Sequence, residues 1–318
     1  MFFTYRRFAE RRRAELHARG HLVATRAGTV EYAETGPAGG PPVLYFHGGP
    51  GGHEQLHVLD PLARRGYRVI GWSRPGYLRT PLTTGRTFAE QADAAAALLD
   101  ELGVRSAAAY AISGGGPSAI EFARRHPART GSLVLESAIS GRYDPVISPT
   151  AGRIYLSPYG TWLITRLAER WPRAAVADLV RQESSLDART RRGVVEWIMA
   201  DRGRSALVRE LLAGLTPYED RAAGLDNDLL RWAELDDTLT TGVTCPTLVL
   251  HGSHDGDVDP AHARHAAATI PGADLHVVPG GWHILPLSPG GGSAREALRD
   301  FLAARNGGGP GPRPAPAP

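Results

Sequence analysis

Ser106-Ala107-Ala108-Ala109-Tyr110-Ala111-Ile112-Ser113-Gly114-Gly115-Gly116-Pro117-Ser118 is the stretch whose reading decides the fold. A short apolar run ends at Ile112, a lone serine follows, and glycines come at once after it. The next residues, Ala119 to Arg125, have helical spacing of their apolar side chains. Strand, serine, glycine, helix is the layout of a nucleophile elbow, in which the serine sits in a strained turn that tolerates only small neighbours. Ala111, Gly114 and Gly115 supply that setting, with Ala111 where the G-x-S-x-G pattern has its first glycine. A glycine-rich turn that cradles phosphate shares the layout, so the flanking chain has to decide.

Before the elbow, His21 to Thr25 and Val30 to Glu34 read as two strands of a hairpin. Val43 to Phe46 and Tyr67 to Trp72 are continuous apolar runs, the mark of strands buried on both faces. The first of these runs into His47-Gly48-Gly49-Pro50-Gly51-Gly52, after which a helix is expected from Leu56 to Arg65. An amphipathic helix follows from Phe88 to Leu102. Beyond the elbow, Ser132 to Glu136 is a further strand. Strands alternating with helices at this rhythm predict an α/β fold with a mainly parallel central sheet flanked by helices.

The rhythm breaks between about Ser140 and Gly242, where only helical segments are read: Leu163 to Arg170, Ala174 to Arg181, Val194 to Met199, Ala206 to Leu212 and Leu229 to Leu235. Because strands resume afterwards (Thr247 to Leu250 and Asp274 to Val278, with helices at Ala261 to Thr269 and Ala294 to Ala304), this segment reads as an inserted helical cap. The expected organisation is a basic N-terminal extension over 1–20, a first core segment over 21–139, a cap or lid over 140–242, and a second core segment over 243–305. Residues 306–318, glycine and proline for the most part, are expected to be a disordered tail.

Composition narrows the function. The chain has 318 residues, 42% hydrophobic and 22% charged, as in ordinary globular enzymes. A net charge of +3 from 36 basic and 33 acidic residues points to no nucleic-acid partner. Every basic residue is arginine, which removes Schiff-base and Ser-Lys chemistry. Cys245 is the single cysteine, so no internal disulfide forms; it precedes Pro246 at the head of an apolar run and reads as buried. The N-terminal segment carries Arg6, Arg7, Arg11, Arg12 and Arg13 with no apolar run after them. It reads as a solvated helix or frayed end rather than a signal peptide. With no run near the ~20 apolar residues of a span, no membrane association is expected and a cytoplasmic location is the default.

The strand Thr247 to Leu250 runs into His251-Gly252-Ser253-His254-Asp255-Gly256-Asp257-Val258-Asp259, and Asp274 to Val278 into Pro279-Gly280-Gly281-Trp282-His283. A serine, an acid and a histidine therefore each follow the carboxyl end of an expected parallel strand, the edge where open α/β sheets place their ligand crevice. Asp257 and Glu136 are rivals for the acid, while Asp259 before Pro260 reads as the cap of the next helix. His254 and His276 read as structural. A metal cluster from His251, His254, Asp255 and Asp257 lacks a standard ligand spacing, so neither metal nor cofactor is expected.

These motifs together, over roughly Leu22 to Ala304, resemble the α/β-hydrolase fold superfamily. The resemblance implies Ser113 as nucleophile, His283 as general base and acid, and Asp255 as the carboxylate orienting the imidazole. A serine hydroxyl needs such a base, and the base such a carboxylate. It also implies an oxyanion hole from the backbone N–H groups of Gly114 and Gly49, with His47 bracing the loop. Trp72, Tyr77, Tyr143 and Trp282 are the candidate substrate-binding aromatics, with Tyr110 beside them. Serine at the elbow argues against the aspartate-dependent epoxide hydrolases and dehalogenases of the fold.

The His-Gly-Gly-Pro-Gly loop resembles that of prolyl iminopeptidases. That subfamily usually has tryptophan and serine after the nucleophile, where Gly114 to Gly116 stand here, and needs cap carboxylates, for which Glu183, Glu196 and Glu210 are available. The first reading is a serine hydrolase of a small-molecule carboxylic ester or lactone acting through an acyl-enzyme on Ser113. The alternatives are an iminopeptidase-like aminopeptidase on an amide substrate, or a low-turnover binding or lyase member of the fold.

Overall fold

The computed structural model describes residues 2–145, 152 and 156–305. Its sheet has eight strands: β1 (His21–Thr25), β2 (Gly28–Thr35), β3 (Pro42–Phe46), β4 (Arg68–Trp72), β5 (Ala107–Ile112), β6 (Thr130–Glu136), β7 (Thr247–Gly252) and β8 (Asp274–Val278). They lie in the order β1-β2-β4-β3-β5-β6-β7-β8. The hairpin β1–β2 and its pairing to β4 are antiparallel; every later pairing is parallel. This is the mainly parallel α/β sheet expected. The central strands are buried on both faces, which is why they read as unbroken apolar runs rather than alternating ones.

Helices α3 (Phe88–Glu101) and α4 (Gly116–Arg125) pack on one face of the sheet. Alanine at positions 94 to 97 of α3 lets that helix approach closely, and Thr87 and Glu90 close its first turn as a capping box. The other face is covered by the short α2 (Asp60–Ala63) and the C-terminal α11 (Gly291–Arg305). The single helix expected over Leu56 to Arg65 is instead a 3₁₀ segment, His53–Leu59, running into α2. Pro61, which lacks an N–H, sits in the first turn of α2 and divides the two pieces.

Between β6 and β7 the described residues include α5 (Pro158–Arg170), α6 (Pro172–Gln182), α7 (Ala188–Met199), α8 (Arg202–Ala213) and α9 (Glu219–Ala233). Most start well before their apolar periodicity does. Ser157, Asp187 and Asp201 accept hydrogen bonds from first-turn N–H groups, so capping rather than burial starts α5, α7 and α8. Helix α10 (Ala261–Thr269) then leads to β8.

The N-terminal segment is a helix, α1 (Phe2–Arg19), but not a solvated one. Tyr5, Ala9 and Leu16 are buried; Tyr5 meets Trp162 edge-on, and Arg13 holds Asp220 through two hydrogen bonds of 2.7 and 3.0 Å. Tyr5, Ala9 and Leu16 fall on one helix face, and the basic residues between them mask that pattern in the sequence. Cys245 is buried, and no helix among the described residues is long and apolar enough to cross a membrane. The expected disordered tail lies outside the described residues.

Candidate active site

Ser113 directly follows β5 and takes φ +50°, a left-handed conformation that non-glycine residues seldom adopt. The turn is possible because its neighbours leave room. A Cβ on Gly115 would overlap the Phe46 carbonyl oxygen and lie 2.7 Å from that of His47, so the elbow and the loop after β3 are packed backbone to backbone. Helix α4 begins three residues after the serine and presents its positive end to the same point.

The loop after β3 is held by His47, which is fully buried. Its Nε2 accepts from the Arg74 backbone N–H at 2.9 Å, so the proton is on Nδ1 and is donated to the Gly48 carbonyl at 2.7 Å. Burial, and then the Arg74 charge, hold this imidazole well below its ordinary pKa, keeping it neutral. It braces and does not titrate.

The residues expected as acid and base, Asp255 and His283, lie in the loops after β7 and β8. Asp255 is 5% exposed, and its Oδ1 accepts from the backbone N–H groups of Asp257 and Val258 at 3.0 and 2.9 Å. His283 Nδ1 lies 3.1 and 3.0 Å from the two carboxylate oxygens. Burial alone would raise the Asp255 pKa, but His283 and then His251 pull it far below the usual carboxylate range. Burial alone would lower that of His283; Asp255 and Asp257 outweigh it and lift the imidazole to about 10. His251, which opens the motif after β7 that ends at Asp255, stands with Nε2 3.2 Å from Asp255 Oδ2 and is a second brace on that carboxylate.

The other imidazole nitrogen, Nε2, faces Asp257 Oδ2 at 3.4 Å, and among the described residues it makes no hydrogen bond to Ser113. The rivals for the acid therefore occupy distinct places: Asp255 at Nδ1, Asp257 near Nε2. Glu136 is buried and receives a hydrogen bond from the Tyr110 hydroxyl; burial raises its pKa. Asp259 accepts from the Ala261 N–H at the start of α10. His254 and His276 bond to serine hydroxyls, Ser253 and Ser293.

Ser113 and His283 open on one cavity of about 840 Å³, lined also by Gly48, Gly49, Asp257 and Glu183. Of the three carboxylates available for an aminopeptidase-like substrate, Glu196 is exposed and paired with Arg173, and Glu210 lies exposed at the cavity rim. Glu183, at the end of α6, is half-buried. Its backbone carbonyl accepts from the N–H groups of Gly256 and His283, which turns its side chain into the cavity. Burial, and then the Asp257 charge, raise its pKa to about 7. Among the described residues Glu183, Asp257 and His283 bring donor atoms within 4.8 Å of one another.

The four aromatics taken as substrate-binding do not line this cavity. Trp72 is fully buried against Phe46 in the core, and Trp282 is fully buried among the insert's apolar residues with its indole N–H on the Leu287 carbonyl. The Tyr77 hydroxyl donates to Asp228 and that of Tyr143 to Asp257. Large rings near a site are drawn first into packing, and their polar tips into protein partners. No sequence signal separates the two roles.

A family model of the alpha/beta hydrolase fold matches residues 41–288. The uncharacterized hydrolase YcgS of Bacillus subtilis (strain 168) is 30% identical over 284 residues, which is 86% of this chain and 95% of that protein. Among solved structures, an alpha/beta hydrolase fold protein from Nakamurella multipartita superposes with TM-score 0.83 at 36% identity, covering 91% of this chain and all of the other. A thermophilic esterase from Thermogutta terrifontis superposes with TM-score 0.60 at 23% identity, over 90% and 98% of the two chains. The strand order, the elbow and the family match agree: the chain belongs to the alpha/beta hydrolase fold family.

Proposed function

We propose that the protein is a serine hydrolase of small carboxylic esters or lactones, with Ser113, His283 and Asp255 as its triad. One observation carries the reading: Asp255 grips His283 Nδ1 while the same imidazole and the strained Ser113 open on one cavity. In the reaction His283 Nε2 leaves Asp257 and closes on Ser113, as catalytic contacts often do only once substrate is bound. It takes the Ser113 proton as the oxygen attacks the acyl carbon, and the N–H groups of Gly49 and Gly114 receive the developing oxyanion. The imidazolium then protonates the departing alcohol oxygen, and water enters by the same route to free the acid. The helical insert acts as the cap that closes this space.

A second reading has its own support. Glu183 and Asp257 place two carboxylates in the cavity, and no arginine pairs with either among the described residues. A substrate ammonium would offset that charge, which favours an aminopeptidase-like amide substrate.

Labelling by a fluorophosphonate probe tests both. Wild type is expected to label and Ser113→Ala not to, with p-nitrophenyl ester turnover falling by roughly 10⁴ to 10⁶ in Ser113→Ala and His283→Ala. Hydrolysis of proline p-nitroanilide without ester turnover, abolished by Glu183→Gln, would establish the second reading instead. A folded wild type that neither labels nor turns over would refute both.

A further inference from the structure

Helix α9 lays one side chain against both glycines of the carbonyl site. A Cβ on Gly114 would overlap Trp232 Cζ2 and stand 2.9 Å from Cη2; a Cβ on Gly49 would stand 3.2 Å from the same Cη2. The benzo edge of the indole thus spans the two residues whose N–H groups are assigned to the oxyanion. The volume that a side chain at position 114 would take is filled from the insert instead. Trp232 is 5% exposed and meets the Tyr143 ring edge-on, with centroids 5.7 Å apart. Its indole Nε1 is buried and has no hydrogen-bond partner among the described residues.

Trp232 itself is not among the residues lining the cavity at Ser113, which stops short of the indole. The cavity continues along Leu59, Leu62, Leu207, Leu211 and Leu298, with Arg65, Glu210 and Arg299 also on its wall. An acyl group bound at Ser113 has its carbonyl oxygen at the glycines, so its α-carbon is the next atom to meet what packs on them. One substituent on that carbon can turn into the cavity. A second turns toward the side of the glycines that the indole fills.

We propose that Trp232 is the specificity-determining residue of this site. By closing the carbonyl site on one side it admits unbranched acyl chains, extended along the cavity, and excludes acyl groups branched at the α-carbon. The proposal rests on the reading of Ser113 as the acylated nucleophile. It concerns which acyl groups are accepted, not the reaction itself.

The test compares kcat/KM for p-nitrophenyl butyrate, octanoate and 2,2-dimethylpropanoate in wild type, Trp232→Phe and Trp232→Ala. Each preparation is first titrated with a fluorophosphonate to count reactive Ser113. Using the ratio of branched to linear turnover, and its change between variants, cancels the intrinsic reactivity of the esters. That ratio is expected to rise roughly tenfold in Trp232→Ala and by less in Trp232→Phe, as fits removal of contacts of a few carbon atoms. The octanoate-to-butyrate ratio should stay as it is. Should Trp232→Ala not fold, Trp232→Phe and Leu225→Ala carry the comparison, since Leu225 Cδ1 backs the same wall 3.2 Å from a Cβ on Gly49. An unchanged branched-to-linear ratio in variants whose Ser113 still labels overturns the role of Trp232 alone. Absence of labelling and turnover in wild type overturns the hydrolase reading, and this proposal with it.

Discussion

Helix α9 and the group α5 to α8 belong to the same insert, yet among the described residues only the first is tied to the core by buried charge pairs. Its polar contacts lie inside the fold. Asp228 and Arg74, both fully buried, form a two-pronged pair at 3.1 and 2.7 Å, and Tyr77 donates to the same carboxylate. Arg221 reaches the Gly51 carbonyl and Glu54, and the backbones of Gly224 and Gly76 are hydrogen-bonded directly. By contrast α5 to α8 share an apolar cluster of their own, with Val180, Ile198 and Val208 at its centre and Trp282 and Leu287 as the core's contribution. They leave Leu163, Leu167 and Trp171 exposed.

Buried charge pairs are geometrically exacting, whereas apolar contacts tolerate sliding. Helix α9 therefore behaves as part of the core that happens to be encoded within the insert. The pair has a further consequence, because Arg74 also donates to the His47 carbonyl at 3.0 Å. Asp228 thereby supports the loop that carries Gly48 and Gly49.

The sharpest way to break this contrast is Asp228→Ala, which strands a buried guanidinium. A loss of about 3–5 kcal/mol in urea unfolding is expected, with a fall in kcat larger than any change in KM, since the loop proposed to bind the oxyanion loses its support. A loss below about 1 kcal/mol would show that α9 is held no more tightly than its neighbours.

The second test concerns pH. The proposed catalysis by His283 needs the neutral ring, so with its pKa lifted to about 10 activity should climb as pH rises from neutral toward that value. Asp257→Asn removes an acid facing Nε2 and should move this limb toward lower pH by about one unit. Glu183→Gln should do the same to a smaller extent; no shift there would mean that the insert contributes nothing to the field at the imidazole. The sign for stability is opposite. A histidine whose folded pKa exceeds its ordinary 6.5 contributes stability below that value, and the contribution is lost as pH rises through about 10.

The smallest effect belongs to Glu196→Ala on α7. Its partner Arg173 is equally exposed, so the unfolding midpoint should not move measurably. A clear shift would mean that surface pairs, and not only the apolar cluster, hold α5 to α8 together.

Much of the framework is local and was legible as such. Ser113, Asp255 and His283 were singled out because each follows an apolar run, and their neighbours Gly114, Gly252 and Gly281 mark tight turns. The roles of the aromatics are not legible: Trp72, Tyr77, Tyr143 and Trp282 go to packing or to protein hydrogen bonds, and nothing local in the sequence marks Trp232. A ring carries the same pattern of neighbours whether it ends in a core or over a glycine. Glu183 is no different: its neighbours do not set it apart from Glu196 and Glu210, and the hydrogen bonds of its backbone to Gly256 and His283 turn it inward.

What the sequence determined by itself is whatever depends on near neighbours: the strands, read from unbroken apolar runs; the elbow, read from a serine among small residues; and the order of serine, acid and histidine along the chain. The tertiary structure alone decided which nitrogen of His283 meets which acid, where the cavity runs, and what packs on Gly49 and Gly114. Those outcomes join distant parts of the chain, as Arg74 joins Asp228 across 154 positions. Their energies come from burial and charge pairing that exist only once the sheet has brought its loops and the insert together.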